Sequence, residues 1–445
     1  MYREIINDLI KWKDSKRRKP LLLTGVRQCG KTYILKKFAA DNFANMVYVN
    51  FEGNASYAAI FDYDYNVKRM TAELERITKE KILPGKTLLF FDEIQEYPRA
   101  ITSLKYFCED MNELHVVCAG SLLGVAIKQE NISFPVGKVN RMQLRPMNFK
   151  EFLKACNEAD MIATFENWAI DRVIPESYSA KMTKLLKDYY IVGGMPEAVK
   201  TWIETGDYEE VDVVLNEILE DYADDFSKHA PLSELPKIRW IWDSVPVQLA
   251  KENNKFIFSH VKEGKRSADL ENALQWLKDA GLLSVIELVE NPELPLSAEA
   301  DKTYFKVYLS DVGILRVRSK INAATIIEEN ALYIKFKGAF AENYVYNELL
   351  SLGKHPYFWR SGNTAELDFI YEDKNKLIPV EVKSADNTQA KSYKQFCKKY
   401  APQKGFKLSL KNIAKNQCEE TLTLSLPLYL AWNIDVFFNA MTTEL

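Results

Sequence analysis

The chain has 445 residues, more than one hydrophobic core organises, and its length points to about three domains. Hydrophobic residues make up 47% and charged residues 27%, the balance of a globular protein, and a net charge of -3 means that any nucleic-acid surface is local. The six cysteines contain no Cys-x-x-Cys pair, which argues against a zinc site or a disulfide framework and for a reducing cytoplasm. The start, MYREIINDLIKWKDSKRRKP, lacks the apolar core of a signal peptide, and no run approaches the roughly 20 apolar residues that span a bilayer. A cytoplasmic chain without a membrane partner is the expectation.

Residues 3–13 predict a helix, with Ile5, Ile6, Leu9 and Ile10 at helical spacing. The cluster Lys16-Arg17-Arg18-Lys19 reads as a solvated turn. Leu21-Leu22-Leu23 then suits a buried strand, and Gly25-Val26-Arg27-Gln28-Cys29-Gly30-Lys31-Thr32 fits G-x-x-x-x-G-K-[ST] without departure. The glycines let backbone N–H groups turn inward around a phosphate where a Cβ would obstruct. The helix that follows offers the positive end of its dipole. Lys31 supplies a point charge for the β- and γ-phosphates, and Thr32 a hydroxyl for Mg²⁺. Residues 25–32 are thus the expected nucleotide-binding loop.

Met46–Phe51 is a second strand candidate, and Val67–Ile82 a helix ended by Pro84-Gly85. Thr87-Leu-Leu-Phe-Phe-Asp92-Glu93 predicts a buried parallel strand with two carboxylates at the end where α/β sheets place ligands. Asp92 is expected to hold Mg²⁺, and Glu93 to orient and deprotonate the attacking water. His115–Ser121 is a further buried strand. Ser121 senses the γ-phosphate, or caps a helix over Leu122–Ile127, or does both.

The stretches GVRQCGKT, LLFFDEIQEYP, CAGSLLGVA, SFPVGKV and LRPMNFKEFL, in this order, resemble the AAA-type ATPases of bacteria and archaea, whose usual partner is a C-terminal domain of unknown function. The resemblance implies a P-loop parallel-sheet core over residues 1–160 that binds ATP, and neighbouring subunits of a homo-oligomer. Related ATPases have Gly-Arg where this chain has Gly137-Lys138, and lysine lacks the bidentate fork. Arg141 and Arg145 stand nearby as trans-acting arginines, or as ordinary ion-pairing residues.

Residues 150–205 read as helical, with a break at Ile191-Val-Gly-Gly-Met-Pro-Glu197, and 161–229 form the lid-like helical region that the resemblance implies. The acidic stretch Ile218–His229 reads as a solvated helix face rather than a metal site. Over 230–320, helices at Pro236–Lys251 and Ser267–Ala280 precede strands at Leu282–Val289 and Thr303–Leu309, an order that resembles a winged helix. Its second helix carries Asp269, Glu271 and Asp279 against Lys278, which phosphates repel, so packing or protein contact competes with DNA reading.

The last part, 321–445, holds a second constellation. A helix over 336–350 contains Glu342, strands at 356–360 and 365–371 contain Asp368, and the next strand reads Val380-Glu381-Val382-Lys383. A helix from Ala390 and strands at 405–408 and 424–431 follow. Along a strand Glu381 and Lys383 face one side. An acid on one strand and Glu-x-Lys on the next resemble the PD-(D/E)XK nuclease fold. That resemblance implies Mg²⁺ held by Asp368 and Glu381, completed by Glu342, with Lys383 activating water. The whole chain is thus expected to be an α/β multidomain protein: ATPase core, helical lid, winged helix and restriction-endonuclease-like domain. Two functions stay open: an ATPase coupled to nuclease action on DNA or RNA, and a nucleotide-gated switch for a protein partner.

Overall fold

A computed structural model describes residues 1–121, 123–126, 133–251, 255–362, 365–384 and 390–441. The chain divides into two compact units, Met1–Arg145 with Asp279–Leu282, and Pro146–Lys278 with Leu283–Leu445.

The first unit is built on a five-stranded sheet of β1 (Leu21–Thr24), β2 (Asn45–Asn50), β3 (Thr87–Asp92), β4 (His115–Ala119) and β5 (Asn140–Gln143), in the order β2-β3-β4-β1-β5. Every pairing is parallel. Continuous apolar runs explain the central strands: all six residues of β3 and all five of β4 are buried, as a strand covered on both faces requires. Helices such as Lys31–Asn42, Val67–Thr78 and Pro98–Asp110 connect the strands. The strand order puts β4 between β1 and β3, with Leu23 opposite Ala119 and Phe91 opposite Cys118. The tips of β1 and β3 therefore face each other across the end of β4.

Two local expectations needed correction. The strand from His115 stops at Ala119, before Ser121. Lys16 and Arg17 are exposed, but Arg18 is half-buried: its Nη1 donates to His115 Nε2 at 2.8 Å and its Nη2 to the carbonyl of Asn112. The expected helix Leu122–Ile127 is seen over Leu123–Ala126; Leu122 and Ile127 lie outside the described residues.

The second unit contains an eight-stranded mixed sheet. Its strands are β6 (Leu283–Val289), β7 (Ala300–Leu309), β8 (Tyr357–Ser361), β9 (Ala365–Asp373), β10 (Lys376–Val382), β11 (Lys404–Ser409), β12 (Ala414–Cys418) and β13 (Thr421–Pro427). The order is β12-β13-β11-β10-β9-β8-β6-β7. β9 runs antiparallel to β8 and β10, whereas β10, β11 and β13 run parallel. The expected strand over 424–431 ends at Pro427, where the chain turns into the 3-10 helix Leu428–Asn433.

Helices Leu235–Leu249 and Ser267–Asp279 precede the β6/β7 hairpin, with a one-turn helix Phe258–Val261 between them. The hairpin pairs onward with β8, Leu288 opposite Phe358, so residues 283–309 belong to the same sheet as the strands of the last part. The break after helix Glu176–Val192 is a close crossing. Gly193 sits at φ 75°, and the Gly194 N–H donates to Asp311 Oδ2 at 2.6 Å. A Cβ on Gly194 would lie 2.0 Å from the Met147 carbonyl oxygen, so packing alone demands glycine there.

Candidate functional site

The loop after β1 is shaped for an anion. Gly25 has φ 154°, and a Cβ there would lie 2.2 Å from the Leu144 carbonyl oxygen, which stands just past β5. Gly30 adopts φ 92° and ψ 23° at the N-cap of helix Lys31–Asn42. Between them Val26 and Cys29 are buried, while Arg27 and Gln28 stay partly accessible. The Cys29 carbonyl accepts a 2.9 Å bond from Arg3 Nη1, which ties the loop to the N-terminal segment. Lys31 is only 6% exposed, and its Nζ donates to the carbonyls of Gly25 and Val26, each at 2.9 Å. The ammonium is thus held inside the loop by neutral acceptors, which an incoming phosphate outcompetes because its oxygens carry opposite charge and add Coulombic attraction to the hydrogen bond.

The acidic pair completes this site. Thr32 Oγ1 donates to Asp92 Oδ2 at 2.9 Å, joining the end of the phosphate loop to the tip of β3. Asp92 is 4% exposed. Glu93 occupies the left-handed region at φ 49° and ψ 44°, a conformation costing a non-glycine residue on the order of 1 kcal/mol. Its Oε2 accepts a 2.6 Å bond from Gln95 Nε2. A strained backbone at an acidic strand tip is the kind of position kept for chemistry rather than packing. Ser121 is buried just past the end of β4, the strand lying between β1 and β3.

Sequence reasoning missed Tyr48. Its hydroxyl donates to the same Asp92 Oδ2 at 2.8 Å, and Lys36 Nζ lies 4.0 Å from its ring centroid. Burial first, then the bond to Asp92, pushes the phenol well above its ordinary range. The only signal in the sequence was a tyrosine two residues before the end of a strand. Arg141 stacks over Phe134 with its guanidinium 4.5 Å from the ring centroid, and Arg145 Nη2 donates to Gln143 Oε1 at 2.8 Å. Lys138 pairs with Glu109 at 2.8 Å.

In the second unit β9 and β10 bring Asp368, Glu381 and Lys383 together. Glu381 is 2% exposed, its Oε1 lies 2.6 Å from Lys383 Nζ, and its buried Oε2 has no hydrogen-bond partner among the described residues. Asp368 Oδ2 accepts a 2.7 Å bond from the Val382 N–H. Burial, and then Glu381 and Glu342, hold the Asp368 carboxyl well above the usual range. Burial raises Glu381 also, against the pull of Lys383. Burial works to lower Lys383, but Asp368 and Glu381 outweigh it and raise the ammonium.

Glu342, on helix Ala331–Ser351, takes a different partner from the one expected. Its Oε2 accepts from Tyr308 hydroxyl at 3.0 Å and lies 3.7 Å from Lys306 Nζ. Lys306 is 1% exposed and bonds Glu366 Oε1 at 2.7 Å. Burial opposes its charge, yet Glu342, Glu366 and Asp368 together raise it. Sequence reasoning missed Lys306 and Glu366 as members of this cluster. Among the described residues no three His, Cys, Asp or Glu side chains gather closely enough to hold one metal ion. An acid pair, with its orphaned oxygen, fits a cation that draws its other ligands from water or substrate. The acidic face over 218–229 forms no metal cluster among the described residues.

Comparison with known proteins supports the first unit. Residues 17–153 match the family model of an AAA domain. Both halves of the phosphate site, Gly25–Thr32 and Asp92-Glu93, lie inside that match, so the parallel sheet is a P-loop AAA core. Residues 183–325 match a domain of unknown function (DUF8612) and 337–429 another (DUF4143); Glu342, Asp368, Glu381 and Lys383 fall in the latter, Lys306 in the former. No curated protein matches the chain. Similar solved structures include Aeropyrum pernix ORC1 in complex with DNA, at 14% identity and TM-score 0.28, covering 75% of this chain and 92% of that one. Aeropyrum pernix ORC2 gives 11%, 0.33, 73% and 91%, and the Thermotoga maritima RuvB Holliday junction branch migration motor 14%, 0.30, 66% and 90%. Likenesses this loose bear no functional inference. No helix among the described residues is long and apolar enough to cross a membrane.

Proposed function

We propose that this chain binds ATP with Mg²⁺ in the first unit and hydrolyses it. The observation that carries the reading is the 2.9 Å bond from Thr32 to Asp92, which joins a phosphate loop to an acidic strand tip. Lys31 leaves its two carbonyls for the β- and γ-phosphates, and the loop N–H groups close on the remaining oxygens. Mg²⁺, when bound, neutralises charge on those phosphates; Thr32 and Asp92 are the residues that hold it. Glu93 orients and deprotonates the attacking water, and Ser121 contacts the γ-phosphate. Glu93→Gln keeps the side-chain volume and removes the base. It should slow steady-state ATP turnover by about two to four orders of magnitude while leaving ATP affinity within a few-fold. Unchanged turnover would mean that another group is the base.

In the second unit the reading is a nuclease-like site coupled to that ATPase and acting on DNA or RNA. Asp368 and Glu381 would hold Mg²⁺, Lys383 would orient water and steady phosphate charge, and Glu342 would support the site through its neighbours. The coupling partner in the motor is a second copy of this chain, reached by Arg141 or Arg145 in trans. Mg²⁺-dependent nicking of plasmid or single-stranded DNA should fall at least about a hundredfold in Lys383→Ala. Equal nicking by both proteins would end the nuclease reading. One observation favours a regulatory switch instead: three carboxylates do not converge on one cation position among the described residues. That alternative has nucleotide-gated binding of a protein partner, no nicking by wild type, and ATP hydrolysis insensitive to nucleic acid.

A further inference from the structure

Lys306 has no role in the chemistry derived above, yet it is the most deeply buried charge of the second unit's acidic cluster. β7 carries it between Phe305 and Val307, both also buried. Strand residues normally alternate between a buried and a solvated side, and a lysine in such a strand is expected to point to water. Here its ammonium instead reaches Glu366 Oε1 at 2.7 Å and Glu342 Oε2 at 3.7 Å, and sits 5.1 Å from the Phe358 ring centroid. β7 is at the edge of the sheet, joined through β6 and β8 to β9 and β10. A charge buried at that cost is retained only where opposite charge compensates it.

The charge count around it is uneven. Glu342, Glu366, Asp368 and Glu381 supply four carboxyl groups; Lys306 and Lys383 supply two ammonium groups. Lys306 engages the outer acids, Glu342 and Glu366, while Lys383 lies on Glu381. The second Glu381 oxygen, Oε2, together with Asp368, is then left to attract one divalent ion.

We propose that Lys306 is a resident cation, standing in the acidic cluster where a second metal ion would otherwise bind, so that the nuclease-like site takes a single divalent ion. This inference rests on the metal-binding reading of Asp368 and Glu381. Two-metal sites place their ions about 3.5–4 Å apart and share acids between them. An ammonium already on Glu342 repels a second dication and occupies the acids that would hold it. Lys306 is thus a positioning residue: it fixes two carboxylates and sets metal stoichiometry without touching the reacting phosphate.

The test counts Mn²⁺ on the full chain without nucleotide, in an Asp92→Asn background that removes the other proposed metal position. Electron paramagnetic resonance of free Mn²⁺ and calorimetry give number and affinity. The parent should bind one ion, and Asp368→Asn should abolish it. Lys306→Met should bind a second ion or hold the first at least about tenfold tighter, because a neighbouring positive charge is gone. Lys306→Arg, which keeps the charge, should stay at one ion. If Lys306→Met fails to fold by circular dichroism, Lys306→Gln removes the charge while keeping a donor for Glu366 and gives the same reading. Two ions on the parent, or identical number and affinity in the charge-removing variant, would overturn the proposal. No Mn²⁺ on the parent would instead sink the metal reading beneath it, a distinct result.

Discussion

Acidification should weaken the first unit through His115, at the start of β4. The ring is 6% exposed and packs edge-on against Trp12 and Phe43 at centroid distances of 5.9 and 4.9 Å. Its Nε2 accepts from Arg18 Nη1 at 2.8 Å, and Nδ1 has no hydrogen-bond partner among the described residues. Burial first, then the facing Arg18 guanidinium, lowers the imidazole from 6.5 to about 4. Above 6.5 both folded and unfolded chains hold His115 neutral. As the pH falls below that, the unfolded chain takes a proton that the folded one refuses until about 4. Stability is therefore present above the ordinary histidine range and is lost progressively across that window. The gap amounts to at most about 3 kcal/mol, at roughly 1.4 kcal/mol per tenfold change in proton affinity. His115→Gln should lower stability by a constant amount, from lost ring contacts, and abolish this slope. Urea titrations read by hydrogen exchange of the β4 peptide isolate the unit from the rest of the chain. Parallel pH curves for wild type and His115→Gln would refute the argument.

Gly194→Ala would set a Cβ 2.0 Å from the Met147 carbonyl oxygen and should cost about 3 kcal/mol or more in the second unit, read by thermal melting. Gly206→Ala is the control: its φ is 67° but nothing lies within 4 Å of the new Cβ, so the cost should be about 1 kcal/mol. Equal losses at both sites would mean that the chain relieves the approach of Gly194 to Met147 at little cost, so that this close crossing does not set the requirement.

Apolar runs and glycine spacing made the centre of the first unit legible. Leu21–Leu23, Leu88–Phe91 and Val116–Ala119 are continuous and buried, which only a strand covered on both faces demands, and the phosphate loop follows the first of them. β5 was not legible. Asn140-Arg-Met-Gln143 has no apolar run, because an edge strand buries little; its pairing with β1 is a tertiary fact. Tyr48 and Lys306 were missed for a related reason. Each looked like an ordinary strand residue, and its role comes from a neighbouring strand or helix far away in sequence. The strand expected over 424–431 overran because Pro427 ends the ladder while the apolar character continues into a buried 3-10 turn. In the acidic cluster, the Glu-x-Lys spacing put Glu381 and Lys383 on one side, and the two lie 2.6 Å apart, whereas nothing local to Glu342 announced that it would face Lys306.

In the function proposed above, residues 25–32 close around a triphosphate with Asp92 and Glu93 set against it. Calorimetric titration of ATP and Mg²⁺ into wild type and Lys31→Ala tests it most directly. Saturable binding by wild type, weakened at least about tenfold in Lys31→Ala, is the predicted result, since the variant loses charge-assisted contacts to two phosphates. A flat wild-type titration, or equal affinity in the two proteins, would contradict it.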